Sequence, residues 1–497
     1  MTTPEEIKNA KNLWQNPQFL AETFLNEEYT LCIGDVLGKH QSYYRVRYWR
    51  EDWYVYGGGR YRNVAADTVR ANVVTWLQGT NRLILKPKFG FEMKPTSRLV
   101  TDILLNMQAI AFIGETCAIN SWLDRKDRGA VVATANGLLL LDERRDDGCP
   151  TLKDHTPNYF STTQLPYDYD PAAACKLWEI FVDDAMQGDK EYVRLLQQWC
   201  GYLFRPDLRE QKFLLCVGEG ANGKGVFFEV LQALVGKDNC SEVGLAQFGR
   251  PFALEAMRGK ILNCTAESTH MIEEEGENVL KALVAGDRFM FERKYRVPVS
   301  ETPTAKIMIA TNALPRFNDR TSGTWRRILL VPFQNVVPEA LQAKGLATEL
   351  KKELSGIFNW ALQGLDNLNR SNGFAKPARH GELIDEYRKD SDPCRAFLLD
   401  NYAFFPNAYG LDTRAVYRAY TECCAATGCR AMNERTFGQQ VRRVFPGVER
   451  RNRGSRGDRH YVYAGLVFQE ELPDGTPDEH ESEPGQEGRH REGLFGN

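Results

Sequence analysis

The chain has 497 residues, 42% hydrophobic and 26% charged, which is enough for two to four domains with substantial cores. Its formal net charge of −3 provides no global basic field, so nucleic-acid binding has to come from local clusters. No run of 18 apolar residues is present, Met1–Ala10 is polar and unlike a leader, and the 12 cysteines contain no C-x-x-C, so a cytosolic chain with reduced thiols and no membrane span is expected.

Residues 1–70 read as a short helix followed by a small aromatic-rich β module. Tyr43–Trp49 and Trp53–Tyr56 alternate aromatic and polar side chains, and Gly57–Gly59 supplies a turn, so two or three antiparallel strands are expected. The rings are interleaved with Arg45, Arg47, Arg50, Arg60 and Arg62. They either form the module's own core or stack on single-stranded bases. Residues 71–205 read as mainly helical, with helical periodicity over Ala71–Leu77 and Arg98–Ile113 and helices over Ala172–Met186 and Lys190–Phe204. Ala135–Asp142 turns into a buried strand. Asp183 and Asp184 are neighbours on a helix, about 100° apart around its axis, and read as a solvated face rather than a metal pair.

From about residue 206 to 371 the pattern becomes that of an α/β domain. Phe213–Val217 is a short apolar run that reads as a buried strand. Gly218, Glu219, Gly220, Ala221, Asn222, Gly223, Lys224, Gly225 and Val226 follow, and Val226–Leu234 has helical periodicity. Strand, glycine loop, lysine and helix in this order form a P-loop context, because a phosphate chain needs converging backbone N–H groups, a helix N-terminus and a cation. Gly225 stands where a P-loop usually offers Ser or Thr to Mg²⁺, so the metal has to find another ligand or water. A second strand, Ile261–Glu267, ends in a carboxylate placed to polarise water and hold Mg²⁺. Leu280–Asp287 is a helix stopping at Gly286, and Arg288–Val299 reads as a hairpin presenting Arg293, Lys294 and Arg296. Such a tip can touch phosphates without reading sequence, and it is equally consistent with a solvated hairpin. Lys306–Asn312 is a third strand ending in a polar residue at the place of a γ-phosphate sensor. Arg326 and Arg327 open a last strand, Leu329–Phe333, either as a surface pair or as an arginine finger for a neighbour's γ-phosphate.

The C-terminal third begins with helical Pro338–Arg370 and a linker over 372–392. Residues 393–468 have the pattern of a winged helix: helices over Cys394–Tyr402, Asp412–Thr427 and Glu434–Phe445, the last capped by Asn433, then a basic loop Arg450–Arg459 and a strand Tyr461–Val467. Arg442, Arg443, Arg450, Arg451 and Arg453 would face duplex DNA, or else decorate a protein-docking domain. Residues 469–497 are rich in Glu, Asp, Pro and Gly and are expected to be disordered.

Taken in order, G-E-G-A-N-G-K-G, the Glu267 strand, L-V-A-G-D-R-F-M-F-E-R-K-Y-R, A-T-N-A-L-P and G-T-W-R-R-I-L-L-V-P-F resemble superfamily 3 helicases, over roughly residues 70–470. The likeness is to the helicase part of phage and plasmid primase–helicases and of the poxvirus helicase–primase. It implies an AAA+-like core, ATP and Mg²⁺ as cofactors, and a hexameric ring moving on single-stranded DNA. Lys224 would contact the β- and γ-phosphates, Glu267 would be the Walker B acid, and Asn312 the sensor. Lys294 and Tyr295 would lie on the pore hairpin, and Arg327 or Arg326 would be the finger supplied in trans. No primase motifs are present, so a separate primase or initiator is the implied partner. The implied function is an ATP-dependent replicative DNA helicase of a phage, plasmid or integrated element, acting in a bacterial host cytoplasm. The alternatives are an origin-binding initiator that uses ATP as an assembly switch and, further off, an ATP-driven defence or packaging machine.

Overall fold

The computed structural model describes residues 3–34, 40–114, 116–267, 272–315, 317, 322–338, 345–427, 431–453 and 460–471. The chain divides into two compact units, residues 1–385 and 386–497. Of the tail expected to be disordered over 469–497, Gln469–Glu471 instead form a short 3-10 turn, and the rest, like the wing tip at 454–459, lies outside the described residues.

The first unit opens with helices Pro4–Trp14 and Pro17–Glu28, each with Pro at its start and a side-chain cap, from Thr3 and Asn16 respectively. An antiparallel meander follows, made of β1 (Val46–Trp49), β2 (Asp52–Gly57) and β3 (Arg60–Val64). One side of it packs with helices Ala66–Thr80 and Ser97–Ala111 around Phe24, Trp53, Val73 and Met107, so this core runs across the boundary expected at residue 70. On the other side Trp49, Tyr54 and Tyr61 surround Phe160 at ring distances of 5.3, 5.4 and 5.0 Å. Those rings therefore form a core, as one of the two readings the alternation allowed, but a core shared with Phe160 and Ile113 from outside the module.

The middle region is less helical than its periodicity suggested. Three antiparallel strands, β4 (Val131–Thr134), β5 (Gly137–Arg144) and β6 (Pro150–Lys153), occupy it before α1 (Lys176–Ala185) and α2 (Lys190–Tyr202). Both helices pack into the core of the following domain. Trp178 of α1 stacks on Phe227 at 5.6 Å and 14°. Backbones of α2 and α5 (Leu354–Ser371) nearly touch: a Cβ on Gly364 would lie 2.1 Å from the Gln197 carbonyl oxygen. Any side chain at Gly364 would force these helices apart.

That following domain carries a five-stranded parallel sheet. Its strands are β7 (Phe213–Val217), β8 (Cys240–Ser241), β9 (Leu262–Glu267), β12 (Lys306–Thr311) and β13 (Ile328–Pro332), in the spatial order β8-β9-β12-β7-β13. Near-continuous apolar runs are what a parallel sheet covered on both faces requires. Helix α3 (Lys224–Val235) follows β7, and α4 (Glu274–Ala285) ends at Gly286 in the left-handed region at φ +73°. Between α4 and β12 the antiparallel hairpin β10 (Phe289–Arg293) and β11 (Arg296–Glu301) projects.

The second unit has winged-helix architecture. Helices α6 (Pro393–Asn401), α7 (Thr413–Thr427) and α8 (Glu434–Val444) pack around Phe397, Val416, Tyr420, Phe437 and Val441. The wing strands are β14 (Glu449–Arg453) and β15 (His460–Ala464), so the first residues of the expected basic loop are a strand. Asn433 caps α8 by accepting from the Thr436 amide at 2.9 Å.

Candidate nucleotide site and nucleic-acid surfaces

Strand register brings the site together. Val217 pairs with Thr311 on one side and with Pro332 on the other, and Glu267 pairs with Thr311. The carboxyl ends of β7, β9, β12 and β13 therefore lie along one edge of the sheet, the edge at which open α/β sheets bind ligands. The loop from Gly218 to Gly223 sits there, and Asn312 follows directly after β12.

The Gly218 amide donates to the Thr311 carbonyl at 3.2 Å, and beyond it the loop is held by its carbonyls and side chains. Gly220 (φ +115°), Ala221 (φ +50°) and Gly223 (φ +83°) take left-handed backbone, which turns successive N–H groups to one side. Asn222 Nδ2 donates to the Phe333 carbonyl at 2.8 Å, and the Val337 amide donates to the Ala221 carbonyl at 2.9 Å. Lys224 Nζ donates to the Gly218 carbonyl and to Asn222 Oδ1, the latter at 3.1 Å. A Cβ at Gly218 would lie 2.2 Å from Asn222 Nδ2, so the packing requires glycine there. Among the described residues, no acceptor faces the amides from Glu219 to Val226. Lys224 is 7% exposed, and burial lowers its pKa below that of an ordinary lysine. A buried cation beside a row of unanswered N–H donors is a strong anion-binding arrangement.

A pocket of about 790 Å³ opens over this loop. Beyond the loop it is lined by Phe181, Asp184, Asn312, Asn335, Val337 and Leu346. Asn335 Nδ2 donates to the Asp184 carbonyl at 2.9 Å, which ties α1 to the segment after β13. Sequence reasoning placed Asp184 on a solvated face. It is exposed, and the surface it faces is the pocket. The apolar stripe of α1 signalled burial, but nothing in the sequence linked that stripe to the glycine loop. The Glu267 backbone ends β9 at the pocket edge beside Ala266, a lining residue; its carboxyl lies outside the described atoms. Among the described residues no group of three or more His, Cys, Asp or Glu is arranged to hold a metal.

Arg326 and Arg327 lie at the opposite edge. The Arg327 carbonyl accepts from the Phe213 amide, at the start of β7, at 2.9 Å. A five-residue strand, about 16 Å long, separates them from the glycine loop of their own chain. Arg326 is exposed, whereas Arg327 is 9% exposed and donates to the Gly323 carbonyl at 2.6 Å.

The hairpin tip differs from expectation in one residue. Lys294 and Tyr295 do stand at the tip; Tyr295 is 93% exposed, with Lys294 Nζ 5.3 Å from its ring centre. Arg293 does not share the tip. It is 3% exposed, and its Nη2 donates to Asp52 Oδ2 at 2.6 Å, because the β1–β2 turn packs against the hairpin base. In the winged helix, Arg442, Arg443, Arg450 and Arg451 are exposed and Arg453 is half-buried. Arg450 lies 3.9 Å over the Tyr461 ring and Arg453 lies 5.3 Å over Tyr409. Arg451 pairs with Glu449 at 2.7 Å.

Known proteins resemble the chain in parts. A family of unknown function, DUF5906, matches residues 216–327, the span from the glycine loop to Arg327. The RFX DNA-binding domain matches residues 394–470, which identifies the C-terminal unit as an RFX-like winged helix. A protein of Acanthamoeba polyphaga mimivirus with a provisional helicase name, L207/L206, is 25% identical over 233 residues, covering 42% of this chain and 24% of its own length. The chain thus spans about a quarter of that relative. The uncharacterised mitochondrial protein ymf21 of Marchantia polymorpha is 25% identical over 126 residues, covering 23% of this chain and 70% of its own length. Human RFX5, a DNA-binding protein, is 35% identical over 57 residues, 11% of this chain and 9% of its own. Among solved structures, the C-terminal region of NrS-1 aligns over 90% of this chain and 99% of its own with a TM-score of 0.49 and 11% identity.

Proposed function

We propose that the chain is an ATP-dependent DNA helicase, replicative in role, belonging to a phage, plasmid or integrated mobile element and acting as a ring on single-stranded DNA. The observation that carries this reading is the row of amides from Glu219 to Val226, unanswered among the described residues, around the buried Lys224 ammonium. A triphosphate matches that arrangement in charge and in acceptor geometry. The lining of Phe181, Val337 and Leu346 suits the flat apolar base of a nucleotide, and about 790 Å³ leaves room for the whole molecule.

Each remaining residue takes a role that its position allows. Lys224 would leave the Gly218 carbonyl for the β- and γ-phosphates. Glu267 would orient the attacking water and, with water molecules, hold Mg²⁺, since Gly225 offers no hydroxyl. When bound, that ion would neutralise phosphate charge. Asn312 would contact the γ-phosphate. Arg326, exposed and a strand's length from its own loop, would serve the pocket of a neighbour, which calls for a closed head-to-tail ring such as a hexamer. Lys294 and Tyr295 would grip single-stranded DNA, and the arginines of the winged helix would hold duplex DNA. The match to a mimivirus protein with a helicase name and the match to the RFX DNA-binding domain support the two halves of this reading. A separate primase or initiator is the implied partner.

Strand displacement on a forked DNA substrate tests the proposal. ATP-dependent unwinding by the wild type, lost in Lys224→Ala, is expected. A second reading is an origin-binding initiator with ATP as an assembly switch, and the missing hydroxyl at Gly225 favours it. That reading expects ATP-dependent oligomers on duplex DNA without unwinding.

A further inference from the structure

A second cavity of about 770 Å³ lies away from the nucleotide pocket, between the N-terminal meander and the loop after helix Ser97–Ala111. We infer that this groove, lined by Arg47, Phe112, Trp122, Arg125 and Lys126, is a binding site for single-stranded nucleic acid, separate from the hairpin and the winged helix.

Three features point there. The first is charge: among its described lining residues, Arg47, Arg125 and Lys126 face a single carboxylate, Asp127, in a protein whose net charge is −3. Glu115 lies outside the described residues. The second is an exposed ring. Phe112 is 57% exposed at the end of its helix, although the backbone around it is fixed by a parallel bridge to Tyr48 and by an Ile113 amide donating to the Tyr48 carbonyl at 2.9 Å. A rigid backbone presenting a bare ring beside cations makes a stacking platform. The third is the opposite wall. Trp122 is held at 4.2 Å by the Arg128 guanidinium, which is locked by two bonds to Asp124 at 2.9 and 2.6 Å, and its ring lies 5.0 Å from that of Tyr159. The tight turn beyond it, with Arg125 at φ +58° and its amide donating to the Trp122 carbonyl at 3.0 Å, carries Arg125 and Lys126 to the exposed rim.

The volume falls within the ~300–1,000 Å³ of small-ligand sites, which is room for a nucleotide or two rather than a duplex. A duplex also hides the base faces that Phe112 would need. An acidic peptide would satisfy the cations, but only an added aromatic side chain would cover the platform, whereas every base of a single strand brings a flat ring. Cations bind the phosphate chain and an exposed ring stacks on any base, so binding should be sensitive to salt and largely tolerant of sequence.

Photo-cross-linking of the full chain tests this. Short thymidine and uridine oligomers carrying 4-thio bases, and a matching duplex, are irradiated with the protein without ATP, and adducts are mapped by mass spectrometry. Adducts on the peptides holding Phe112 or Trp122 are expected from at least one single strand, and the productive arm identifies DNA or RNA. Absence from both arms, or equal yield from the duplex, overturns the inference. Phe112→Ala/Arg125→Glu/Lys126→Glu should cut these adducts at least tenfold while adducts at Tyr295 and Tyr461 persist. Lys126→Glu alone, a change at a fully surface position, should lower them in the same direction if the triple variant misfolds. Unchanged yield in Lys126→Glu, or displacement by polyglutamate as effective as by unlabelled oligomer, contradicts it. The readout needs no hydrolysis, so its outcome is independent of the motor reading.

Discussion

Asp52→Ala should release the hairpin that carries Lys294 and Tyr295. The turn between β1 and β2 holds Arg50 and Glu51 at φ +49° and +65°, and it inserts Asp52 and Arg50 against the hairpin base. Asp52 accepts from Arg293 and Arg296, and Glu301 accepts from Arg50 and from Arg258, the last at 2.6 Å. The two bonds to Asp52 are not equal. The Arg293 and Asp52 side chains are 2% and 7% exposed, whereas that of Arg296 is 48% exposed. Breaking a buried pair by removing one partner costs ~3–5 kcal/mol; Glu255, 3.7 Å from Arg293 Nε and 40% exposed, remains as a weak partner, so the low end applies. A half-exposed pair is worth ~0.2–1 kcal/mol. At ~1.4 kcal/mol per decade, Asp52→Ala should therefore raise the open population of the hairpin at least a hundredfold, and Arg296→Ala by no more than about fivefold. Hydrogen exchange followed by mass spectrometry on the peptide spanning Phe289–Glu301 reads both effects. Asp52→Leu/Arg293→Met, which removes both charges, should restore most of the protection. Equal protection loss in Asp52→Ala and Arg296→Ala, or none in either, would refute the claim that the buried pair is the clamp.

Other consequences can be checked separately. Burial pushes Lys306 down to about 7, where its ammonium donates to the Arg205 carbonyl beside the Tyr202 ring and Asp207. Between that value and the 10.5 of an ordinary lysine the unfolded chain binds the extra proton, so this site's contribution to stability rises with pH, by at most ~1.4 kcal/mol per unit. The melting-temperature difference, Lys306→Met minus wild type, should accordingly be more positive at pH 6 than at pH 9; a constant difference argues against a depressed lysine. A Cβ added at Gly225 would meet nothing within 4 Å, so Gly225→Ser fits. Its hydroxyl should lower the Mg²⁺ concentration for half-maximal ATPase by about tenfold, equivalent to ~1.4 kcal/mol, as measured by phosphate release. Arg326→Ala should lower ATPase by ~10³ with an unchanged melting temperature. Arg327→Ala, which removes a buried bond to the Gly323 carbonyl, should instead destabilise by ~1–3 kcal/mol in thermal unfolding.

Elements whose chemistry is local were legible in the sequence. Phe213–Val217 is a strand with the bounds its apolar run gave, and Gly286 and Asn433 end and start helices because backbone conformation and capping are decided within a few residues. The glycine loop was legible for the same reason. Properties set by distant partners were not. Arg293 looks like a tip residue until Asp52, 241 positions away, is brought against it. Asp184 is exposed as expected, but that the surface it faces is the nucleotide pocket depends on Asn335 and the glycine loop meeting α1. Arg326 and Arg327 are chemically alike and adjacent, and only the turn before β13 makes one exposed and the other buried. Strand Val131–Thr134 was hidden because four residues show no periodicity, and its pairing with β5 is what stabilises it.

The most direct test of the central claim is amide hydrogen exchange over Gly218–Phe227 with and without a slowly hydrolysed ATP analogue and Mg²⁺. Strong protection of Glu219–Val226 in the wild type, much reduced in Lys224→Ala at the same nucleotide concentration, is the predicted result. Unchanged exchange across these amides at saturating nucleotide would contradict the account.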